Sequence, residues 1–181
     1  TAGNALEVRE SLDVLAGGGP ADVIELTLTL AREMLEATGA GVTKDPADAL
    51  RDGSAMDVWR AMISAQGGDV DAALPVAKET HDVIAQSDGY LIKLDAWAVG
   101  MASWRLGAGR ARKEDVVQAG AGIQWHVGHG EVVAKGAKLF TLHTDEPARF
   151  ESALEVLTSG YAVGSREEIS ERFPLIIDRL V

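Results

Sequence analysis

The stretch HDVIAQSDGYLIKLDAWAVGMASWRL, residues 81–106, decides how the chain is read. Its first half holds two short β-rich runs, His81–Ala85 and Tyr90–Leu94, which predict strands. Its second half predicts a helix from Asp95 to Leu106, capped by Asp95, with Trp97, Met101 and Trp104 at i, i+4 and i+7. That spacing marks both tryptophans as core anchors. Downstream, further strands are expected at Gly122–His126, Glu131–Val133, Leu139–His143 and Tyr161–Val163, and a helix at Arg149–Thr158. Ser165 with Glu168 forms a second capping-box pattern, and the β-branched run after Pro174, ending at Val181, reads as extended. The texture is that of a compact β unit with inserted helices.

Upstream the pattern is helical. Asn4 opens the first helix, with Glu7 in a capping-box-like position, and Gly17–Gly19 stop it. Pro20 is expected at the first position of a second helix that ends at Gly39. That helix carries two apolar stripes, Ala21, Ile24, Leu28, Ala31 and Leu35 on one side and Leu26, Leu30 and Met34 on another, which predicts burial over most of its circumference. Pro46–Arg51 and Ser54–Ala65 read as shorter helices, the latter with Val58, Met62 and Ala65 inward. The fold class is therefore α+β, divided into a helical part, residues 1–80, and a β part, residues 81–181. The chain opens without Met and runs straight into a helix, as expected of a piece of a longer protein.

Composition narrows the chemistry. The 181 residues are 46% hydrophobic and 25% charged, as in a water-soluble globular protein. The absence of cysteine excludes disulfides, thiolate metal sites and thiol nucleophiles. With 28 acidic against 17 basic residues and a net charge of -11, the chain is a poor ligand for a phosphate backbone, so no nucleic-acid partner is expected. No apolar run approaches the roughly 18 residues that a bilayer span takes. No membrane partner is expected, and a cytoplasmic location is.

Three groups of residues could carry chemistry. Glu7, Glu10 and Asp13 recur at spacings of three on one helix face, either as a solvated acidic face or as oxygen ligands for a hard cation. Arg105, Arg110, Arg112 and Lys113 surround Leu106-Gly107-Ala108-Gly109, a basic glycine-containing loop that is either solvated or anion-binding, without P-loop spacing. His81, His126, His129 and His143 lack metal-ligand spacing, and no G-x-S-x-G elbow is present.

Three stretches then fall into one order. Gly3-Asn4-Ala5-Leu6-Glu7-Val8-Arg9-Glu10 precedes Gly19-Pro20-Ala21-Asp22 and Glu25-Leu26-Thr27. Leu106-Gly107-Ala108-Gly109-Arg110 follows. Gly122-Ile123 then leads through Gly128, Val132-Val133 and Lys135-Gly136 to Leu139, Leu142 and His143. This set resembles the C-terminal portion of the pyrimidine-nucleoside phosphorylases, thymidine phosphorylase included. The resemblance implies reversible phosphorolysis of a pyrimidine nucleoside, with phosphate as co-substrate and no organic cofactor. It also implies that the phosphate- and base-holding residues lie upstream of Thr1, so that no catalytic or substrate-binding residue is assigned here. It further implies a potassium ion held in part by the Glu10 carboxylate and the Thr1 carbonyl, a lid loop carrying Arg110, and a homodimer for the complete enzyme. For the fold, it implies the helical end of the large α/β domain followed by a hammerhead, barrel-sandwich-like β domain.

The third stretch also looks like a lipoyl or biotinyl carrier, although Lys93 sits in the apolar run Ile92-Lys93-Leu94 rather than in an M-K-M or D-K-A context. A structural domain without activity of its own, and a phosphoribosyltransferase of the same fold group, are the other readings.

Overall fold

The computed structural model describes residues 1–39, 41, 44–171 and 174–180. Four helices come first: α1 (Asn4–Leu15), α2 (Ala21–Thr38), α3 (Pro46–Arg51) and α4 (Ser54–Ala65). The strands β1 (Glu79–Ile84) and β2 (Gly89–Leu94) follow, then α5 (Ala96–Ser103) and a π-helical turn, Trp104–Ala108. The chain continues with β3 (Gly122–Trp125), β4 (Val132–Val133), β5 (Lys138–Thr144), α6 (Arg149–Gly160), β6 (Tyr161–Gly164) and a 3-10 turn, Arg166–Glu168. The mixed helix-and-sheet class read from the sequence holds. Where the composition divides the chain at 80/81, spatial proximity gives a β unit of 1–7 with 74–171 and a helical unit of 8–73 with 172–181, of which 40, 42, 43, 172, 173 and 181 lie outside the described residues.

The β unit holds two antiparallel sheets of three strands, ordered β1-β5-β3 and β4-β2-β6. In the first, β5 is central: Phe140 faces Val83 on one side and Trp125 on the other, and Leu142 faces His81 and Ile123. Leu139, Phe140, Thr141, Leu142 and Thr144 are all buried, so β5 is covered on both faces and reads as a continuous apolar run rather than an alternating one. In the second sheet β2 is central and Leu91 is its fully buried residue. Ala2 extends the first sheet by one bridge, exchanging both backbone hydrogen bonds with Ile123 at 2.8 and 2.7 Å, which is why the first residues belong with the strands.

α5 starts where the sequence placed its cap: Asp95 accepts hydrogen bonds from the Trp97 and Ala98 amides at 2.8 and 3.1 Å. Its buried side is Ala98, Val99 and Ala102, and it packs closely on α6, where a Cβ at Gly160 would lie 2.2 Å from that of Ala98. Trp97 and Trp104, expected in the core, are 68% and 40% exposed. The close approach of α5 to α6 is made by small residues, Ala98 against Gly160, and the indoles lie off that face. The capping box at Ser165 and Glu168 is formed on both sides.

In the helical unit the predicted helices appear, with corrections at their ends and faces. Glu7 reaches back to the Gly3 amide at 2.7 Å, while the Asn4 side chain donates to the Ala108 carbonyl instead of capping α1. Pro20 is the N-cap of α2 rather than its first residue. Ile24, Leu28, Ala31 and Leu35 are half-buried, but Leu26, Leu30 and Met34 are exposed and no residue of α2 is fully buried, against the expected burial on both stripes. On α4 the covered stripe is Ala55, Met56, Trp59 and Ile63, whereas Val58, Met62 and Ala65 face solvent. Trp59, the largest apolar group of that helix, sets which face turns in. Residues 174–180 form no strand, and Val181 lies outside the described residues.

Candidate functional site

The basic glycine loop grows out of the end of α5. The Trp104–Ala108 turn ends at Gly107, whose φ of +107° lies where only glycine is unstrained. Leu106 is fully buried and fixes the turn, so the chain emerges as a loop from Gly109 to Ala121 that returns into β3. The loop is closed on itself by Asp115, whose Oδ2 accepts from the Ala111 and Arg112 amides at 3.1 and 2.8 Å. Arg110 is exposed, its guanidinium donating to the Lys113 carbonyl at 3.4 Å, and Arg112 and Lys113 are exposed beside it. Arg105 does not join them. It donates to the Ser152 carbonyl at 2.6 Å and pairs with Glu155 at 2.9 Å, so its charge is spent on α6. The loop therefore presents Arg110, Arg112 and Lys113, not four cations.

Beneath the loop lies a cleft of about 510 Å³, whose lining includes Trp104, Arg105, Asp115, Val116, Glu146 and Arg149. Its floor is a polar knot around Gln118. The Gln118 amide nitrogen donates to Glu146 Oε1 at 2.7 Å, its Oε1 accepts from the Asp145 backbone at 2.7 Å, and its own backbone N–H donates to the Gly107 carbonyl at 2.9 Å. Thr144, fully buried, donates to the Leu106 carbonyl at 2.8 Å and lies 3.1 Å from Gln118 Oε1. Glu146 in turn holds Arg149 at 3.1 Å. None of Gln118, Thr144 or Glu146 was singled out from sequence. They lie 26 and 28 residues apart in the chain, and no local pattern links them.

The remaining candidates are placed as follows. Thr1 is half-buried, immediately before the Ala2 bridge, and Glu10 is half-buried on α1. A carbonyl and a carboxylate oxygen are donors that suit a hard cation, although two oxygens are only part of a coordination shell. Glu7 is engaged with the Gly3 amide, and among the described residues no cluster of three or more His, Asp or Glu is arranged to hold a metal ion. His126 Nε2 meets the Thr141 hydroxyl at 2.8 Å, and that hydroxyl donates to Asp82 at 2.7 Å. Asp82 also pairs with Lys138 at 2.7 Å, and Lys138 with Thr141 holds its carboxyl below the usual range. Burial pushes the imidazoles of His126 and His143 below their ordinary value. His129 sits in the turn before β4, near the Ile92 carbonyl at 3.1 Å. Lys93 lies within β2 and donates to the Ser159 carbonyl at 2.7 Å, so it does not stand at an exposed hairpin tip as a carrier lysine must.

Residues 90–164 match the pyrimidine nucleoside phosphorylase C-terminal domain. Over all 181 residues the chain is 51% identical to a protein of Mycobacterium tuberculosis named thymidine phosphorylase, of which it covers 42%. It is 36% identical over 189 aligned residues to a Staphylococcus epidermidis pyrimidine-nucleoside phosphorylase, with 99% of this chain and 42% of that one covered. Against the Geobacillus stearothermophilus pyrimidine-nucleoside phosphorylase the identity is 37% over 153 residues, 79% of this chain and 35% of that one. The chain thus spans less than half the length of the curated relatives it matches.

Proposed function

We propose that this chain, which belongs to the pyrimidine-nucleoside phosphorylase family as a C-terminal portion, works as the scaffold and lid part of an enzyme that phosphorolyses pyrimidine nucleosides. The observation that carries the reading is the 51% identity to a thymidine phosphorylase in an alignment that spans all 181 residues. In such a reaction phosphate attacks C1′ as the base departs, giving free base and (deoxy)ribose 1-phosphate. The transition state has oxocarbenium character, so the work is to place an anion against the sugar, stabilise the leaving base and exclude water. The anion- and base-holding groups belong to the upstream portion that the relatives carry.

This chain's own share is positional. The loop from Gly109 to Ala121 acts as the lid, with exposed Arg110 as the residue that meets the cleft when the lid orders. Thr1 and Glu10 contribute a carbonyl and a carboxylate oxygen to a potassium site, an ion that would supply positive charge and rigidity. The β unit, with its two three-stranded sheets, is the hammerhead-like, barrel-sandwich domain. The complete enzyme is a cytoplasmic homodimer.

The test is phosphorolysis of thymidine and uridine by the full-length protein and by the isolated 181-residue chain. Turnover by the first alone is expected, with potassium dependence reduced by Glu10→Gln and kcat/KM reduced by Arg110→Ala. Turnover by the isolated chain, or none by the full-length protein, would overturn the proposal.

A further inference from the structure

We infer that Gln118 is a positioning residue of the lid, whose backbone and side chain together tie both of its ends to the rest of the β unit. The inference rests on the lid reading of the Gly109–Ala121 loop and adds what holds that lid in register. Four facts converge on Gln118. Its backbone N–H donates to the carbonyl of Gly107, at the opposite end of the loop, so the two ends are tied to each other. Its side chain covers Gly107, where a Cβ would come within 2.9 Å of the Gln118 amide, and the glycine's positive φ is thus matched by a close packing contact. Its amide oxygen accepts from the Asp145 backbone and its amide nitrogen donates to Glu146, which anchors the pair of ends to the segment after β5. Through Glu146 the anchor continues to Arg149, and Arg149 approaches the Arg105 carbonyl at 3.5 Å at the start of the π-helical turn.

The chemistry requires both faces of an amide. One end must accept from a backbone N–H and the other must donate to a carboxylate, which neither a carboxylate nor an apolar side chain of the same length does at neutral pH. Beyond this anchor, residues 110–117 are exposed, their internal ties being the Asp115 turn and the Arg110 contact with Lys113. The lid is therefore a short exposed tongue on a fixed base formed by Gly107, Gln118 and the segment after β5. Its exposed Val116 and the half-exposed Trp104 lie on the walls of the cleft beneath it. When the tongue closes, it moves about that base rather than unravelling from it.

Two readouts test this in the protein that carries the chain. The first needs no activity: Arg110, Arg112 and Lys113 are three exposed trypsin sites inside the tongue, and Arg166 is a control site on the 3-10 turn. Gln118→Leu is expected to raise nicking at 110–113 by about 10-fold while leaving nicking at Arg166 unchanged, because a lost anchor populates the open tongue without unfolding the domain. Equal acceleration at both places, or none at 110–113, would overturn the inference. The second is a double-mutant cycle on kcat/KM: with Arg110→Ala already present, Gln118→Leu should cost little more, since both act through one lid. Fully additive losses would also overturn it. If nicking responds as expected but the full-length protein turns over no nucleoside, the anchor stands and the proposed function fails. Gln118→Glu, which keeps length and acceptor but loses the donor, is the conservative variant. It should nick as fast as the leucine variant at neutral pH, and nicking at the wild-type rate would count against the inference.

Discussion

The β unit and the helical unit are built from comparably apolar sequence, yet only one of them closes a core. In the β unit Leu91, Leu106, Ile123, Phe140, Leu142 and Leu157 are completely buried. Among the described residues of the helical unit Val14 alone is a buried apolar residue, and α2, α3 and α4 have none. The difference lies in the geometry of the elements. A central strand such as β5 is flanked by hydrogen-bonded neighbours on both edges and buried on both faces, whereas an amphipathic helix covers one stripe and leaves any second stripe to another partner. Leu26, Leu30 and Met34 are such a second stripe. Stability is thus concentrated in the strands, and substitutions of equal size should have unequal consequences.

Substitution should cost most at Phe140, which is fully buried and meets Tyr161 in a tilted ring contact with centroids 5.2 Å apart. Phe140→Ala should destabilise the β unit by about 3–5 kcal/mol, read from the loss of amide-exchange protection at Leu91, Ile123 and Leu142. A loss confined to local amides would break the claim that these strands share one core.

A middle-sized effect is set by pH. His126 and His143 have imidazoles held below the ordinary value of 6.5, chiefly by burial, so the unfolded chain binds more protons than the folded one as pH falls past that value. Stability should therefore be complete above about pH 7 and decline on acidification, by a few °C in Tm at pH 5.5. Asp82, held below the usual carboxylate range, works in the same direction: its share is also lost on acidification, but only well below that window. His143→Gln should flatten the decline. An unchanged slope would assign it to other groups.

On the open stripe of α2 a substitution should cost little. Met34 is 63% exposed on α2, and Met34→Gln should change the stability of the isolated chain by no more than about 0.5 kcal/mol in a urea titration. A loss comparable to that of Phe140→Ala would show that α2 does carry a core.

Much of this was legible in the residues. Asp95 announced α5, Ser165 and Glu168 announced the 3-10 turn, and the ends of all six strands fall within a few residues of their predicted places. These signals are local, written within four or five positions. Which face of a helix turns inward was not local. Trp97 and Trp104 have the spacing of core residues, yet Trp97 lies largely in solvent and Trp104 is only partly covered, and Val58 and Met62 lost the inward face of α4 to Trp59. Periodicity shows that an apolar stripe exists, but burial depends on what stands opposite it.

The helices, the six strands, the mixed class and, through motifs spread along the chain, the family resemblance were all readable from the residues. Those follow from backbone preferences and from residue order, which are properties of a string. It took the folded chain to tie Arg105 to α6 while leaving Arg110 exposed on the loop, and to gather Gln118, Thr144 and Glu146 into one knot. A hydrogen bond between residues 28 positions apart exists only once the three intervening strands and their turns have set its ends 2.7 Å from each other.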